Sequence, residues 1–263
     1  MTAHERAQQW WPHQFMAASV EGGNSLSETL AQYSALMVMR HHYGEEMMTR
    51  FLKYEQDRYL SARSGEEEDE RPIHRCDDGQ QHILYNKGGN VMYGLAQYIG
   101  EREINHALSA FLNERKMNSD SYATTRDLMR HLQAHTPDSL QHLLTDWLDE
   151  VTFYAHKVYE ANYERNEDFE YKLNFKLDAK KTQLNSEGIE EEVDHNDPVE
   201  ITVYHKKAGV LYNKMHYLES GTNEMELILE RRPDKIKVDG RLLLIDKNLG
   251  DNTVVCKKKE EET

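Results

Sequence analysis

Apolar residues recur at three- and four-residue steps up to residue 150 and at two-residue steps after it. SLSETLAQYSALMVMRHHYG, residues 25–44, sets Leu26, Leu30, Tyr33, Leu36, Met37 and Tyr43 at helical spacing, because side chains three and four apart overlie one another on a helix. GGNVMYGLAQYIG (88–100) carries a stripe of Val91, Met92, Leu95 and Ile99, and EREINHALSAFLNERK continues it through Ile104, Leu108, Phe111 and Leu112. Two shorter amphipathic helices follow in TTRDLMRHLQAHTPDSLQHLLTDWLDEV, broken at Pro137. Each stripe needs a partner face, which predicts a helical bundle or the helical lobe of a larger domain.

Past Phe153 the period changes to two. FEYKLNFKL alternates Phe169, Tyr171, Leu173, Phe175 and Leu177 with polar residues, the pattern of a half-buried strand. Similar strands are predicted over 199–205, 210–218, 224–230 and 235–246, with turn residues between them, which favours a β-sandwich. The segments 61–82 and 184–198 are acidic, turn-rich and aperiodic and read as surface loops, and the tail KKKEEET reads as frayed. The expected fold class is α+β: a helical lobe over 1–154 followed by a β-sandwich-like domain over 155–263.

Composition narrows the chemistry. The 263 residues carry 47 acidic against 32 basic side chains, a formal net charge of −15. Nucleic acid and anionic membranes are unsuitable partners for such a chain, since phosphate binding needs an excess of Lys and Arg. No apolar run approaches the roughly 20 residues of a membrane helix, so direct membrane insertion is not expected. Cys76 and Cys256 stand far apart and form no C-x-x-C pair, so neither a disulfide framework nor a redox compartment can be read from them. The acidic runs at 66–70 and 190–192 lack the ligand pattern of a calcium loop and read as solvated.

The chain opens with a motif one residue short of a metal site. Residues 4–8 read H-E-R-A-Q, where a zinc-peptidase helix reads H-E-x-x-H. Residues at i and i+4 share a helix face, so that motif points two imidazoles at one ion and lets the Glu between them take a proton from metal-bound water. Here His4 would be the first ligand and Glu5 the base, but position 8 is Gln. A Gln carbonyl oxygen is neutral and far less basic than imidazole, and zinc sites overwhelmingly use Cys, His, Asp and Glu. On its own the pentapeptide also reads as a polar helix start with a surface His.

The surrounding residues carry more. HERAQQWWPHQF followed by LSETLAQYSALMVM resembles the gluzincin aminopeptidases, the clan of aminopeptidase N and leukotriene A hydrolase. The resemblance is closest to the branch fused to bacterial ABC-transporter permease segments, whose members read like HELAHQWWGHQ and then LSESLAQYSALMVM. It implies the helical lobe of a thermolysin-like peptidase domain, zinc as cofactor, a peptide as substrate and peptide-bond hydrolysis by metal-activated water. Glu28, in N-S-L-S-E-T-L-A, matches the glutamate that supplies the third zinc ligand, and LYNKGGNVMYGL matches the Y-x-K-G segment whose tyrosine, here Tyr85, stabilises the oxyanion. PDKIKVDGRLLLIDKNLGDNTV resembles the close of the β-domain that follows the peptidase domain. Zinc would be held by His4, Glu28 and weakly by Gln8.

The chain departs from the pattern at the motif itself. Gln8 replaces the second His, Arg6 stands where an apolar residue packs, and Pro12 replaces a Gly and would end the helix. The family's upstream β-rich part, with its G-A-M-E-N-like segment that binds the substrate amine, is not within these 263 residues. A start three residues before the motif points to a truncated chain or the tail of a longer product, with exposed apolar surface a reason for homo-oligomerisation. Two functions follow: a zinc aminopeptidase-like protein, weakened or inactive because of Gln8, or a non-catalytic interaction or structural module or piece of a longer membrane-tethered peptidase/transporter protein. The plainer roles stay open too. Ser25-x-x-Glu28 spells a capping box, with Ser27 the other cap. Tyr85 could be a packing aromatic, and Trp10 and Trp11 read as packing residues. His13, present in the relatives beside a normal second ligand, reads as structural. His41, His42, His74 and His82 show no ligand spacing.

Overall fold

The computed structural model describes residues 2–11, 13–65, 69–77, 79–116 and 121–259. It divides into two compact units, Met1–Thr152 with Ser186–Gly188, and Phe153–Asn185 with Ile189–Thr263.

The first unit is helical. Its elements are α1 (Thr2–Ala7), α2 (Ser25–Tyr43), α3 (Glu45–Arg63), α4 (Gly88–Tyr98), α5 (Glu101–Arg115), α6 (Thr125–Ala134) and the short α7 (Gln141–Leu144). A single π-helical turn, Ile83–Lys87, leads directly into α4. The predicted stripes make the core: Leu26, Leu30, Tyr33 and Leu36 of α2, Val91, Met92 and Leu95 of α4, and Ile104, Leu108 and Phe111 of α5 are all buried. Tyr43, expected on the stripe, is 52% exposed instead, because it is the last residue of α2, where Gly44 takes φ 85° and turns the chain into α3. Gly88 and Gly89 allow α4 to press against α2. A Cβ on Gly88 would lie 2.5 Å from the Thr29 hydroxyl, and one on Gly89 would lie 2.7 Å from Cγ of Gln32. The Thr29 hydroxyl donates to the Leu84 carbonyl at 2.7 Å, which pins the π-turn to the same helix.

The segment 61–82 is not a plain surface loop. Residues 61–63 complete α3, Ile73–Arg75 form a 3₁₀ turn, and Ile73 and Cys76 are buried. Glu70, at the end of the acidic run, is also inside. Its carboxylate accepts from Lys87 Nζ, the Tyr59 hydroxyl and Arg63 Nε, each at 2.6 Å. Burial works to raise its pKa, and the Lys87 ammonium beside it overrides that, holding the carboxyl below the usual range. A buried charge survives where such partners replace its water. Residues 66–68 of the run lie outside the described residues.

The second unit is built from strands. β1 (Thr152–Arg165), β2 (Tyr171–Leu184), β3 (Glu190–Val193), β6 (Gly221–Leu229) and β9 (Lys257–Lys258) form one sheet. β4 (Asn196–His205), β5 (Gly209–Glu219), β7 (Lys235–Val238) and β8 (Thr253–Val255) form the other, in the order β5-β4-β7-β8. β2 runs antiparallel to β6 from Tyr171↔Leu229 to Ala179↔Gly221. Leu173, Phe175, Leu177 and Ala179 alternate inward on β2, and Val199, Ile201 and Val203 on β4 are fully buried. The helices and sheets together make the chain α+β.

Three strand expectations need correction. Phe169 is not on a strand: it is 70% exposed in the β1–β2 turn with φ 66°, under the Arg165 guanidinium. The acidic connection 184–198 contains β3, which pairs with the end of β2, and its Glu190 meets Lys247 Nζ at 2.6 Å. The last predicted strand stops at Val238, where Asp239 takes φ 45° and its carboxylate accepts from the backbone N–H groups of Leu243 and Leu244. Of the tail, Lys257–Lys258 are paired with β1 rather than frayed, and 260–263 lie outside the described residues. Among the described residues no helix is long and apolar enough to cross a membrane.

Candidate functional site

α1 lies against α2. Ala7 and Trp11 are buried, and the Trp11 indole donates to the Ser34 hydroxyl at 3.0 Å. Trp10, expected to pack, is 51% exposed, since neighbouring residues of one turn cannot both face α2. The contact carries His4 inward until it is 5% exposed, so the surface-His reading does not hold.

Four predicted residues meet there. His4 Nε2 lies 3.1 Å from Glu28 Oε2, and Gln8 Nε2 lies 3.0 Å from both Glu28 oxygens and 3.4 Å from His4 Nε2. Tyr85, placed by the π-turn, stacks on the His4 ring with centroids 5.1 Å apart and planes 24° apart, and its hydroxyl hydrogen-bonds Glu28. The hydrogen bond from His4 is the main reason the Glu28 carboxyl is held below its usual range, with Tyr85 and Gln8 adding to it against the opposing effect of burial. A second layer fixes the imidazole. Gln32 Nε2 donates to Glu55 at 2.9 Å, so its Oε1 must accept from His4 Nδ1, also at 2.9 Å. Glu55 in turn accepts from Asn86 Nδ2, and burial pushes its carboxyl up.

The remaining sequence candidates fall outside this cluster. Glu5 is exposed on α1. Arg6 is exposed as well, donating to Gln9 Oε1 at 3.2 Å, and so is not a charge forced into packing. His13 is exposed, and Pro12 lies outside the described residues. The capping box does not form. The Ser25 hydroxyl donates to the Ile73 carbonyl and that of Ser27 to the Asn24 carbonyl at 3.1 Å, which leaves Glu28 to the His4 cluster.

Whether this cluster suits zinc can be judged from its donors. The three converging side-chain ends are 3.0 to 3.4 Å apart, close to the separation of about 3.3 Å between neighbouring ligands on a tetrahedral ion with bonds of about 2.0–2.1 Å. The spacing of a metal site is present. The donor set is not. Gln8 directs an N–H group at the carboxylate, and turning the amide over would set its oxygen against both Glu28 oxygens. Gln32 Oε1 before Nδ1 orients the His4 ring as the acceptor behind a metal-bound His does, and turns Nε2 toward Glu28. With a neutral amide at position 8 in place of an imidazole, the residues present do not supply the three strong ligands of a zinc centre.

Two polar groupings carried no sequence signal. In the second unit His156 Nε2 and His195 Nε2 are 3.0 Å apart and almost fully buried, with Asp246 3.5 Å from His156 Nδ1 and the Leu218 carbonyl accepting from His195 Nδ1. Burial, reinforced by the neighbouring His156, pushes the His195 pKa down to about 4. In the first unit Glu103, His106 and His135 bring a carboxylate and two imidazoles together at the surface. Each grouping joins residues from separate elements, and no fixed spacing in one segment announces it.

The family model for the Peptidase family M1 domain matches residues 1–147, the stretch that holds the His4 cluster. No curated protein matches the chain. Among solved structures, the chain is similar to an M1 zinc metallopeptidase of Deinococcus radiodurans, in a Glu-to-Ala mutant bound to a Tyr-Ser-Ala substrate, at 18% identity and a TM-score of 0.43. A second structure of that mutant gives 17% identity and the same TM-score. The match covers 56% and 55% of this chain but only 32% of each structure, so the chain spans about a third of their length.

Proposed function

Because the chain belongs to peptidase family M1, we propose that it is the helical lobe of a zinc aminopeptidase-like protein whose own metal centre has given way to a hydrogen-bonded cluster. Aminopeptidase turnover in this chain is then weak or absent, and the lobe acts as a folded, non-catalytic module. The family implies zinc and peptide substrates. Zinc, when bound in such enzymes, activates a water for attack on the peptide carbonyl.

The observation that carries the reading is Gln8, whose amide donates to both oxygens of Glu28. A carboxylate holding N–H donors and an imidazole is satisfied without an ion, and its ionised form is stabilised by them. Tyr85 fits the same picture, since its hydroxyl is engaged with Glu28 and its ring covers His4. In the ancestral arrangement Glu5 would be the general base and Tyr85 the oxyanion donor.

The test is elemental analysis of untagged protein together with an aminopeptidase assay. No zinc that depends on His4 and no turnover on aminoacyl substrates are expected. Stoichiometric zinc that disappears in His4→Ala would sink the reading.

A further inference from the structure

The first unit carries a second cluster of metal-ligating side chains, made of Glu103 and His106 on α5 and His135 at the end of α6. Glu103 and His106 are three residues apart and share a helix face. His135 is the C-cap of α6, with φ −110° and ψ 4°. The packing of the two helices fixes where they meet. Ile104, Leu108 and Phe111 of α5 and Leu128 and Leu132 of α6 are buried. Arg115 reaches Asp127 at 2.5 Å and Glu114 reaches His131 at 2.7 Å. Thr124 and Asp127 close a capping box at the start of α6, so its register is set from that end as well.

Glu103 Oε2 lies 3.8 Å from His106 Nδ1 and 3.7 Å from His135 Nδ1, with the two ring centroids 6.0 Å apart. These distances exceed a hydrogen bond, and all three ligand atoms lie within 4.8 Å of one another. Arg102 takes the other carboxylate oxygen, Oε1, at 3.0 and 3.1 Å, and leaves Oε2 facing the rings. Arg102 is also the main reason the Glu103 carboxyl is held below its usual range.

We infer that Glu103, His106 and His135 form a binding site for a divalent transition-metal ion, separate from the His4 cluster. Two imidazoles and one carboxylate are a donor set that zinc, cobalt and nickel accept, with water completing the shell. The side chains of His106, His135 and Glu103 are 58%, 30% and 33% exposed, so an ion can enter from solvent. Binding an ion would draw the three ligand atoms, now within 4.8 Å of one another, closer together, with His106 the most exposed and freest to turn. The site differs from the His4 cluster in its spacing and its donors: Glu103 Oε2 lies 3.7 and 3.8 Å from the two rings, and both imidazoles are present.

The probe is the metal alone. Untagged protein, stripped with chelator and then freed of it, is titrated with Co²⁺ by visible absorption and with Zn²⁺ by calorimetry. One equivalent is expected. His106→Ala and His135→Ala should each weaken binding by at least about tenfold, and His4→Ala should leave it unchanged. Zinc should raise the Tm of the parent chain and not that of the double variant. Because both imidazoles are at the surface, the variants are expected to fold, which circular dichroism checks. Binding no tighter to the parent than to the His106→Ala/His135→Ala double variant overturns the inference. An equivalent that depends on His4 instead also overturns it, and separately sinks the proposed function.

Discussion

The helical unit holds two histidine–carboxylate clusters that stand in opposite relation to their sequence signals. His4, Gln8 and Glu28 sit in a metallopeptidase motif, and every donor among them is used by a neighbour. Glu103, His106 and His135 sit in no motif, and their ligand atoms face one another beyond hydrogen-bond range. On the proposed reading, motif spacing outlasts the ligand chemistry it served. Whether an ion can bind depends on what the lone pairs are doing, and that is visible only in three dimensions.

The largest effect should come from restoring the missing ligand. Gln8→His replaces an amide that donates to Glu28 with an imidazole at the same i+4 position, so three strong ligands would converge. Zinc affinity at this cluster is expected to rise on the order of 100-fold, which is about 2.7 kcal/mol. Calorimetry in the His106→Ala/His135→Ala background isolates it from the surface cluster. If no gain appears, the spacing of 3.0 to 3.4 Å does not correspond to a usable site, and the contrast between the clusters loses its first term.

Next in size is stability. His4 is 5% exposed, stacked on Tyr85 and bonded at both nitrogens. His4→Ala removes the imidazole from a partly buried carboxylate and from Gln32, and should cost about 2–3 kcal/mol. His106→Ala at the exposed cluster should stay within about 0.5 kcal/mol. Urea unfolding of both variants makes the comparison. Equal losses would mean that the two clusters contribute alike to stability and that the difference in burial has no energetic weight.

How far the sequence could anticipate this depends on how local each feature is. The helical stripes were legible because their partners lie three and four residues apart, and the cores of α2, α4 and α5 follow them. The meeting of His4, Glu28 and Tyr85 was reached through family resemblance, since spacing alone cannot show that a π-turn brings Tyr85 over His4. The direction of the Gln8 amide was not legible at all, because it is set by Glu28, and the fate of Ser25 is set by the distant Ile73 carbonyl. The buried position of Glu70 was hidden by its acidic neighbours, and Lys87, 17 residues on, with Tyr59 and Arg63 explains it. Glu103 and His106 are local to each other, but His135 reaches them through the packing of α5 on α6.

A smaller effect tests the His4 cluster by pH. The Glu28 carboxyl is held below its usual range, first by the His4 hydrogen bond, so the folded state binds its proton less readily than the unfolded state. The stability this contributes is fully present above the unfolded carboxylate pKa, about 4.5, and is lost as the pH falls below that through the lowered folded value. The difference in Tm between the parent chain and Glu28→Gln should therefore shrink between pH 6 and pH 3.5. A difference that stays constant over that range would mean that the fold leaves the Glu28 carboxyl at its unfolded value.

The smallest expected effect bears on which departure from the family pattern matters. Arg6 stands one step after Glu5, where the family pattern has an apolar residue. In the structure it is exposed and donates to Gln9 Oε1, so its charge is not forced into a packing face. Arg6→Leu should change stability by less than about 0.5 kcal/mol, and in the Gln8→His background it should add nothing to zinc affinity. Both are read from the same urea and calorimetric experiments. A clear gain in either would show that α1 needs an apolar residue at that position to seat His4, and Gln8 would then share responsibility for the altered site. With no gain, the loss of zinc chemistry reduces to one change of donor, an imidazole lone pair exchanged for an amide N–H.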